Sequence, residues 1–223
     1  MGCGQVLPCP TTWRQTAARI CAALSITLAF ASSAKAEILY NNGAIVPDGD
    51  AWTISGGYRI SDSFTLSSES TFRAFDSIGL SVPTGYLPIS VEWSIGTTAF
   101  GNDIAGPSTS GFSYTYISSG IPTYDAYSAA INVGSLTLAA GTYWLTLGNG
   151  IVSSTDIPFL SWIESGGPSQ AHQQYASNPA TTIPSQSFAV DTVPEPSTGA
   201  LLGLAAAILI GSAGRVRVGA QDA

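Results

Sequence analysis

Hydrophobic and polar positions alternate in short runs along most of the chain, and no stretch of its middle keeps the 3.6-residue spacing of a helix for long. In PISVEWSIG (88–96), Ile89, Val91, Trp93 and Ile95 fall on one side, and Ser90, Glu92 and Ser94 on the other. In GTYWLTLGNG (141–150), Tyr143, Leu145 and Leu147 oppose Thr142, Trp144 and Thr146, between Gly141 and Gly148. The same period of two marks strands at 63–66, 73–82, 112–117, 156–163 and 186–190. Turn formers separate them at Asn41-Asn42-Gly43, Pro47-Asp48-Gly49, Gly56-Gly57 and Gly166-Gly167-Pro168. Short alternating strands between turn signals predict an all-β domain. Its expected architecture is an antiparallel β-sandwich, jelly-roll-like, with Ile, Val, Leu, Trp and Phe in its core.

The alternation fails at both ends. Near the start, Arg14 and Arg19 precede an apolar run from Ile20 to Ala31, and Ala34-Lys35-Ala36 follows it. Basic, apolar and A-x-A segments in that order predict an N-terminal signal peptide over 1–36, cut so that the mature chain begins at Glu37. The run is too short to span a bilayer, which takes ~20 residues. Cys3, Cys9 and Cys21 all precede the cut, so the mature chain is expected to hold neither disulfide nor thiol nucleophile. Cys21 also comes before the apolar run rather than after it, which rules out a lipoprotein signal.

Near the end, Pro194 and Pro196 bracket Glu195 and stiffen the chain, and Ser197-Thr198 is placed to cap a following helix. Gly199 to Gly214 carries no charge and is rich in Leu, Ala and Ile; Arg215 and Arg217 follow. These features predict a single C-terminal transmembrane helix, with the arginines as its cytoplasmic stop and the acidic body on the far side of the membrane. At ~1.5 Å per residue this segment reaches about 24 Å, short of a ~30 Å hydrocarbon core, so it is a marginal anchor suited to brief retention. Gly199, Gly203, Ala207 and Gly211 repeat at a spacing that pairs helices, although small residues there also simply moderate the hydrophobicity. The chain therefore divides into a signal peptide at 1–36, a β-domain at 37–190 and a tail at 191–223.

Charge narrows the class of partner. Only 9% of the 223 residues are charged, with 14 acidic against 7 basic side chains and a net charge of −7. Arg59 and Arg73 are the only basic residues between Lys35 and Arg215. A body so poor in cations cannot neutralise phosphates, which excludes nucleic acid as a partner. The 5 Trp, 9 Tyr and 8 Phe supply too much buriable surface for a disordered chain.

Val193-Pro194-Glu195-Pro196, the apolar segment and the terminal arginines together resemble the PEP-CTERM sorting signal of exopolysaccharide-producing Gram-negative bacteria. The resemblance implies recognition at Pro194, Glu195 and Pro196 by an exosortase, a membrane-embedded cysteine transpeptidase-like enzyme. It also implies transient anchoring in the inner membrane, then delivery to the cell surface or to the exopolysaccharide matrix of a biofilm. The basic end is looser than is usual in that family, because Val216 separates the arginines. The segments ILYNNG, WSIG, LAAGTYWLTL and ESGGPS are similar to the globular parts of many such proteins, and no activity comes with them.

The body offers little chemistry. His172 is the only histidine; it lies in the polar stretch SQAHQQY, read as a solvated loop, and no G-x-S-x-G elbow accompanies it. Glu92 and Glu164 form the best carboxylate pair for glycoside hydrolysis, but Glu92 falls on the polar side of its strand, where a solubilising charge is the plainer reading. Asp48 and Asp50 lack the full calcium-loop pattern, so an Asp-Gly turn is favoured and calcium is the alternative. One histidine and no mature cysteine argue against zinc. No catalytic residue, cofactor or metal is assigned. Tyr86, Tyr124, Tyr127, Trp162 and Tyr175 lie near turns, where a flat ring can stack on a sugar; Trp162 and Tyr175 are the candidate glycan contacts, strand packing being the alternative. The expected function is that of an exported, non-enzymatic surface or matrix protein. A module binding a neutral glycan through turn-borne aromatics is the alternative, because an acidic surface repels anionic polymers.

Overall fold

The computed structural model describes residues 37–154 and 159–192. The predicted signal peptide with its cleavage residues Ala34 and Ala36, the sorting tripeptide, the apolar segment and Arg215 and Arg217 lie outside the described residues. Among the described residues every regular element is a strand, and no helix is long and apolar enough to cross a membrane.

The strands are β1 (Ile38–Asn41), β2 (Ala51–Thr53), β3 (Tyr58–Leu66), β4 (Ser70–Pro83), β5 (Pro88–Gly96), β6 (Ala105–Gly111), β7 (Ser113–Ile121), β8 (Tyr124–Leu138), β9 (Gly141–Val152), β10 (Ser161–Ile163), β11 (Ala171–Tyr175), β12 (Thr181–Ile183) and β13 (Ala189–Thr192). They form two antiparallel sheets. In the 7-stranded sheet, β4 pairs with β8 along one side, and β7 closes that side by pairing with β8. Along its other side β4 pairs with β13, which leads to β1, and with β10, which leads to β2. The 6-stranded sheet runs β12-β11-β3-β9-β5-β6.

One core joins the sheets. The Phe64 ring of β3 lies 5.5 Å from Phe75 and 6.3 Å from Phe72 of β4, both edge-on, and 6.3 Å from Phe188. Such ring pairs add about 0.5–1.5 kcal/mol each beyond the area they bury. Ile60, Leu66, Leu145, Leu147, Val91 and Ile95 extend this core from the second sheet, and Ile78, Leu80, Val82 and Ile131 from the first.

Most of the alternating stretches are strands because one face meets this core; 112–117 is the exception, with Tyr114, Tyr116 and Ile117 exposed, and strand lengths are where expectation and structure part. The segment 63–66 is only the end of β3, and 156–163 yields just the three residues of β10. Residues 155–158 lie outside the description, Phe159 is exposed and Leu160 is buried beside the strand. Ile89 does not join the buried side of β5 with Val91, Trp93 and Ile95, because the β5–β9 register shifts between Pro88 and Glu92 and turns Ile89 to solvent. At the far end the ladder continues past residue 190. The Thr192 amide donates to Glu37 O at 2.8 Å, and the Glu37 amide to Thr192 Oγ1 at 2.7 Å, so the body begins and ends on one clasp.

Candidate functional site

Two polar constellations stand out, one on the surface and one buried. The surface one lies on the face of the second sheet turned away from the core. Register places Arg59, Ser61, Ser63 and Thr65 of β3 opposite Gly148, Thr146, Trp144 and Thr142 of β9. His172 and Gln174 of β11 stand opposite Ser61 and Arg59, and Glu92 and Ser94 of β5 opposite Gly148 and Thr146. Because strand side chains alternate, these residues share one face while Ile60, Phe64 and Leu66 point to the core.

The residues of this face hold one another. The Arg59 guanidinium donates to Gln174 Oε1 at 2.8 Å and lies 5.6 Å from the centre of the Phe100 ring. Thr146 Oγ1 and the Phe100 amide both donate to Ser61 Oγ at 3.0 Å. Asn149 Nδ2 donates to Glu92 at 3.2 Å. The half-buried rings of Trp144 and His172 pack 5.4 Å apart, tilted by 35°, and His172 Nδ1 is 3.4 Å from the Thr182 hydroxyl. The connection from β5 to β6 forms a wall beside this floor. Thr97 donates to both Asp103 oxygens, at 3.0 and 2.8 Å, and these bonds hold the Asp103 carboxyl below its usual range. Within that wall Phe100 takes the left-handed conformation, φ 60°, which costs a bulky residue about 1–3 kcal/mol. Arg59, Glu92, Ser94, Phe100, Asn102 and Thr146 line the resulting shallow depression.

The buried constellation centres on Asp62, which is 0% exposed on the core side of β3. Its Oδ1 accepts from Ser169 Oγ at 2.5 Å and from the Ser63 amide at 2.7 Å. Its Oδ2 accepts from Asn42 Nδ2 at 2.9 Å and from the Gln186 amide at 2.7 Å. Burial pushes its pKa up to about 6 against the opposing pull of these donors, so the carboxylate is ionised at neutral pH. Asn42 also donates to Ser169 Oγ at 2.7 Å and to Gln186 O at 2.8 Å, and its Oδ1 accepts from Tyr40 OH at 2.9 Å. Ser165 Oγ donates to Asn42 O. Gly167 fits only because it lacks a side chain, since a Cβ there would sit 2.1 Å from Asn42 O. The segments ILYNNG and ESGGPS thus meet at one buried acid. This knot ties together four stretches of backbone.

The residues singled out by sequence scatter. Trp162 is not a surface ring: it is 0% exposed, packs 5.7 Å from Phe188 and donates from Nε1 to Ser187 O at 2.8 Å. Its register with Trp52 and Leu80 puts it between β2 and β4, and its full burial takes it out of glycan contact. Tyr127 is buried as well, with its hydroxyl donating to Tyr86 O at 3.3 Å. Tyr175 is 47% exposed, with its ring 4.6 Å from Tyr58, but it belongs to the opposite face of the second sheet from Trp144. His172 lies on a strand, not in a loop. Glu92 belongs to the second sheet, whereas Glu164 bridges to Gln186 beside the first and accepts from Trp52 Nε1. Among the described residues no three metal-ligating side chains gather, around Asp48 and Asp50 or elsewhere. Trp144 and Arg59 went unnoticed as site residues; the signal for Trp144 was a large ring on the polar side of an alternating strand.

Residues 192–218 match the PEP-CTERM protein-sorting motif. The chain thus carries that sorting domain, and the match begins at Thr192, the last residue of β13. No curated protein matches the chain.

Proposed function

We propose that the chain bearing this sorting motif is an exported, non-enzymatic protein of the cell surface or extracellular matrix, handed over by an exosortase and associated with exopolysaccharide. The observation that carries this reading is the motif match at residues 192–218, which starts on the final residue of the last strand of a body with its own core. Pro194, Glu195 and Pro196 serve as the recognition element. The apolar segment holds the chain in the inner membrane, and Arg215 and Arg217 keep its end cytoplasmic. A binding rather than catalytic role agrees with the body. His172 contacts a tryptophan ring and a threonine hydroxyl, and of the two candidate carboxylates Glu92 lies in the second sheet and Glu164 beside the first. Glu195→Ala is expected to leave unprocessed chain in the inner membrane, read by intact-mass analysis of fractionated cells. A normally processed mass would overturn the assignment of the tripeptide.

A second reading, a module for a neutral glycan, is favoured by one observation: the half-buried Trp144–His172 ring pair on a floor of Ser, Thr, Arg and Gln side chains. An aromatic face beside polar groups is what a sugar ring takes, with its apolar side on the ring and its hydroxyls on the donors. The reading moves the glycan contact from Trp162 to Trp144. On an array of neutral glycans Trp144→Ala is expected to weaken binding at least tenfold while keeping the folding transition of the wild type. Unchanged binding would remove the sheet face from consideration.

A further inference from the structure

Among the described residues the two sheets leave several strand edges open, and all of them but one are guarded. An unpaired edge is a template for another strand, and proteins blunt edges by shortness, proline, bulges or charge. The edge strands β1, β2 and β12 have only 4, 3 and 3 residues. β6 contains Pro107, and its pairing with β5 is irregular. β7 is different: it has 9 residues, SYTYISSGI, and pairs with β8 alone. From Ser113↔Ala130 to Tyr116↔Tyr127 that pairing is regular, with shifts only beyond Tyr116. Tyr114 is 38% and Tyr116 53% exposed, and Ile117 is exposed as well.

We propose that β7 is a self-association edge, through which two copies of this chain pair antiparallel about a two-fold axis at Thr115. Charge selects the occupant. The chain carries a net charge of −7, yet Ala105 to Tyr124 contains no Asp, Glu, Lys or Arg. Two acidic copies repel elsewhere and meet here without penalty, while a basic partner finds nothing to pair with. The sequence is also self-complementary about Thr115. Antiparallel pairing sets Tyr114 against Tyr116 of the second copy, Tyr116 against its Tyr114, and Thr115 against Thr115. Aromatic and threonine cross-strand pairs are the favoured ones. Tyr114 and Tyr116 already pack edge-on against Tyr127, 5.5 and 5.6 Å away, so the second copy lengthens an existing tyrosine ladder. Among the described strands each copy has one such edge, so the contact is isologous and closes at two.

The test uses the mature chain from Glu37, free of cysteine, purified from a secreting host. Sedimentation at about 100 µM, where a pair with micromolar Kd is associated, is expected to show a dimer. Thr115→Lys, at an exposed position that places two like charges against each other across the axis, is expected to raise Kd at least tenfold with an unchanged circular dichroism spectrum. Thr115→Cys is expected to give a reducible covalent dimer under mild oxidation, and Thr65→Cys, exposed on the second sheet, to give none. A wild-type monomer at that concentration overturns the proposal. So does a dimer indifferent to Thr115→Lys, or cross-linking equal at the two cysteines.

Discussion

Replacing Asp62 by alanine is expected to lower the free energy of unfolding by about 2–4 kcal/mol at neutral pH. Four donors converge on this carboxylate: Ser169 Oγ, Asn42 Nδ2 and the amides of Ser63 and Gln186. A buried donor left without an acceptor costs ~1–3 kcal/mol, and the four losses do not simply add because water can enter the space. Against them stands relief from burying a charge. The folded pKa of about 6 lies some two units above that of an unfolded aspartate, which is worth about 3 kcal/mol. The loss of donor partners is the larger sum, so the variant is the less stable protein.

The same shift fixes a pH dependence. With the folded pKa raised, the folded state binds the proton more tightly than the unfolded chain between about pH 4 and pH 6. The contribution of Asp62 to stability is therefore fully present below about pH 4, declines as pH rises through 6 and is constant above it. Denaturant titrations of wild type and Asp62→Ala at pH 4, 5, 6 and 7 read this directly. The variant should lose the slope that Asp62 supplies, and the gap between the two proteins should widen toward pH 4. Equal slopes would show that the carboxylate is not held as described.

Trp162→Ala is expected to be as damaging by a different route. The side chain is wholly enclosed, and its removal opens a cavity that the sheet cannot fill, a loss of ~3–5 kcal/mol for Trp→Ala in a core. It also strips Ser187 O of the indole donor at 2.8 Å. For a body of this size the midpoint should fall by about 6–20 °C, which a thermal melt followed by circular dichroism would show. Any loss of glycan binding in this variant then follows the fold, whereas loss in Trp144→Ala does not. A Trp162→Ala midpoint within a degree or two of wild type would place the indole at the surface after all.

The strands readable from sequence were those with strict alternation. β5 and β9 stand out because one side of each is Val, Trp, Ile, Leu or Tyr and the other, Trp144 apart, is Ser, Thr or Glu. β8, the longest strand at 15 residues, does not. Tyr127, Ala129 and Ile131 alternate toward the core, but small Ala126 and Ala130 blur the other side, and the pairing with β4 slips twice, so the period does not run the length of the strand. β11 is almost wholly polar, AHQQY, and is a strand only because β3 lies beside it. The Asp62 knot was hidden for another reason. Asn42 and Gly167 each read as turn formers, and nothing local reveals that residues 42, 62, 169 and 186 share one point. A trace existed in Ile60-Asp62-Phe64-Leu66, an acid on the apolar side of an alternation, visible only when the strand is followed back to Tyr58.

The clasp between Glu37 and Thr192 bears on what maturation does to the body. Both expected trimming events, removal of a leader ahead of Glu37 and scission past Thr192, fall just outside the outermost hydrogen bonds of the sheet. Neither scissor takes away a bond that the described strands make, so a melting curve recorded before shearing should superimpose on one recorded after it. Glu37 and Thr192 also lie at a single corner, so attachment through the tail, as proposed above, would hold the body there and leave its remaining flanks open to their surroundings.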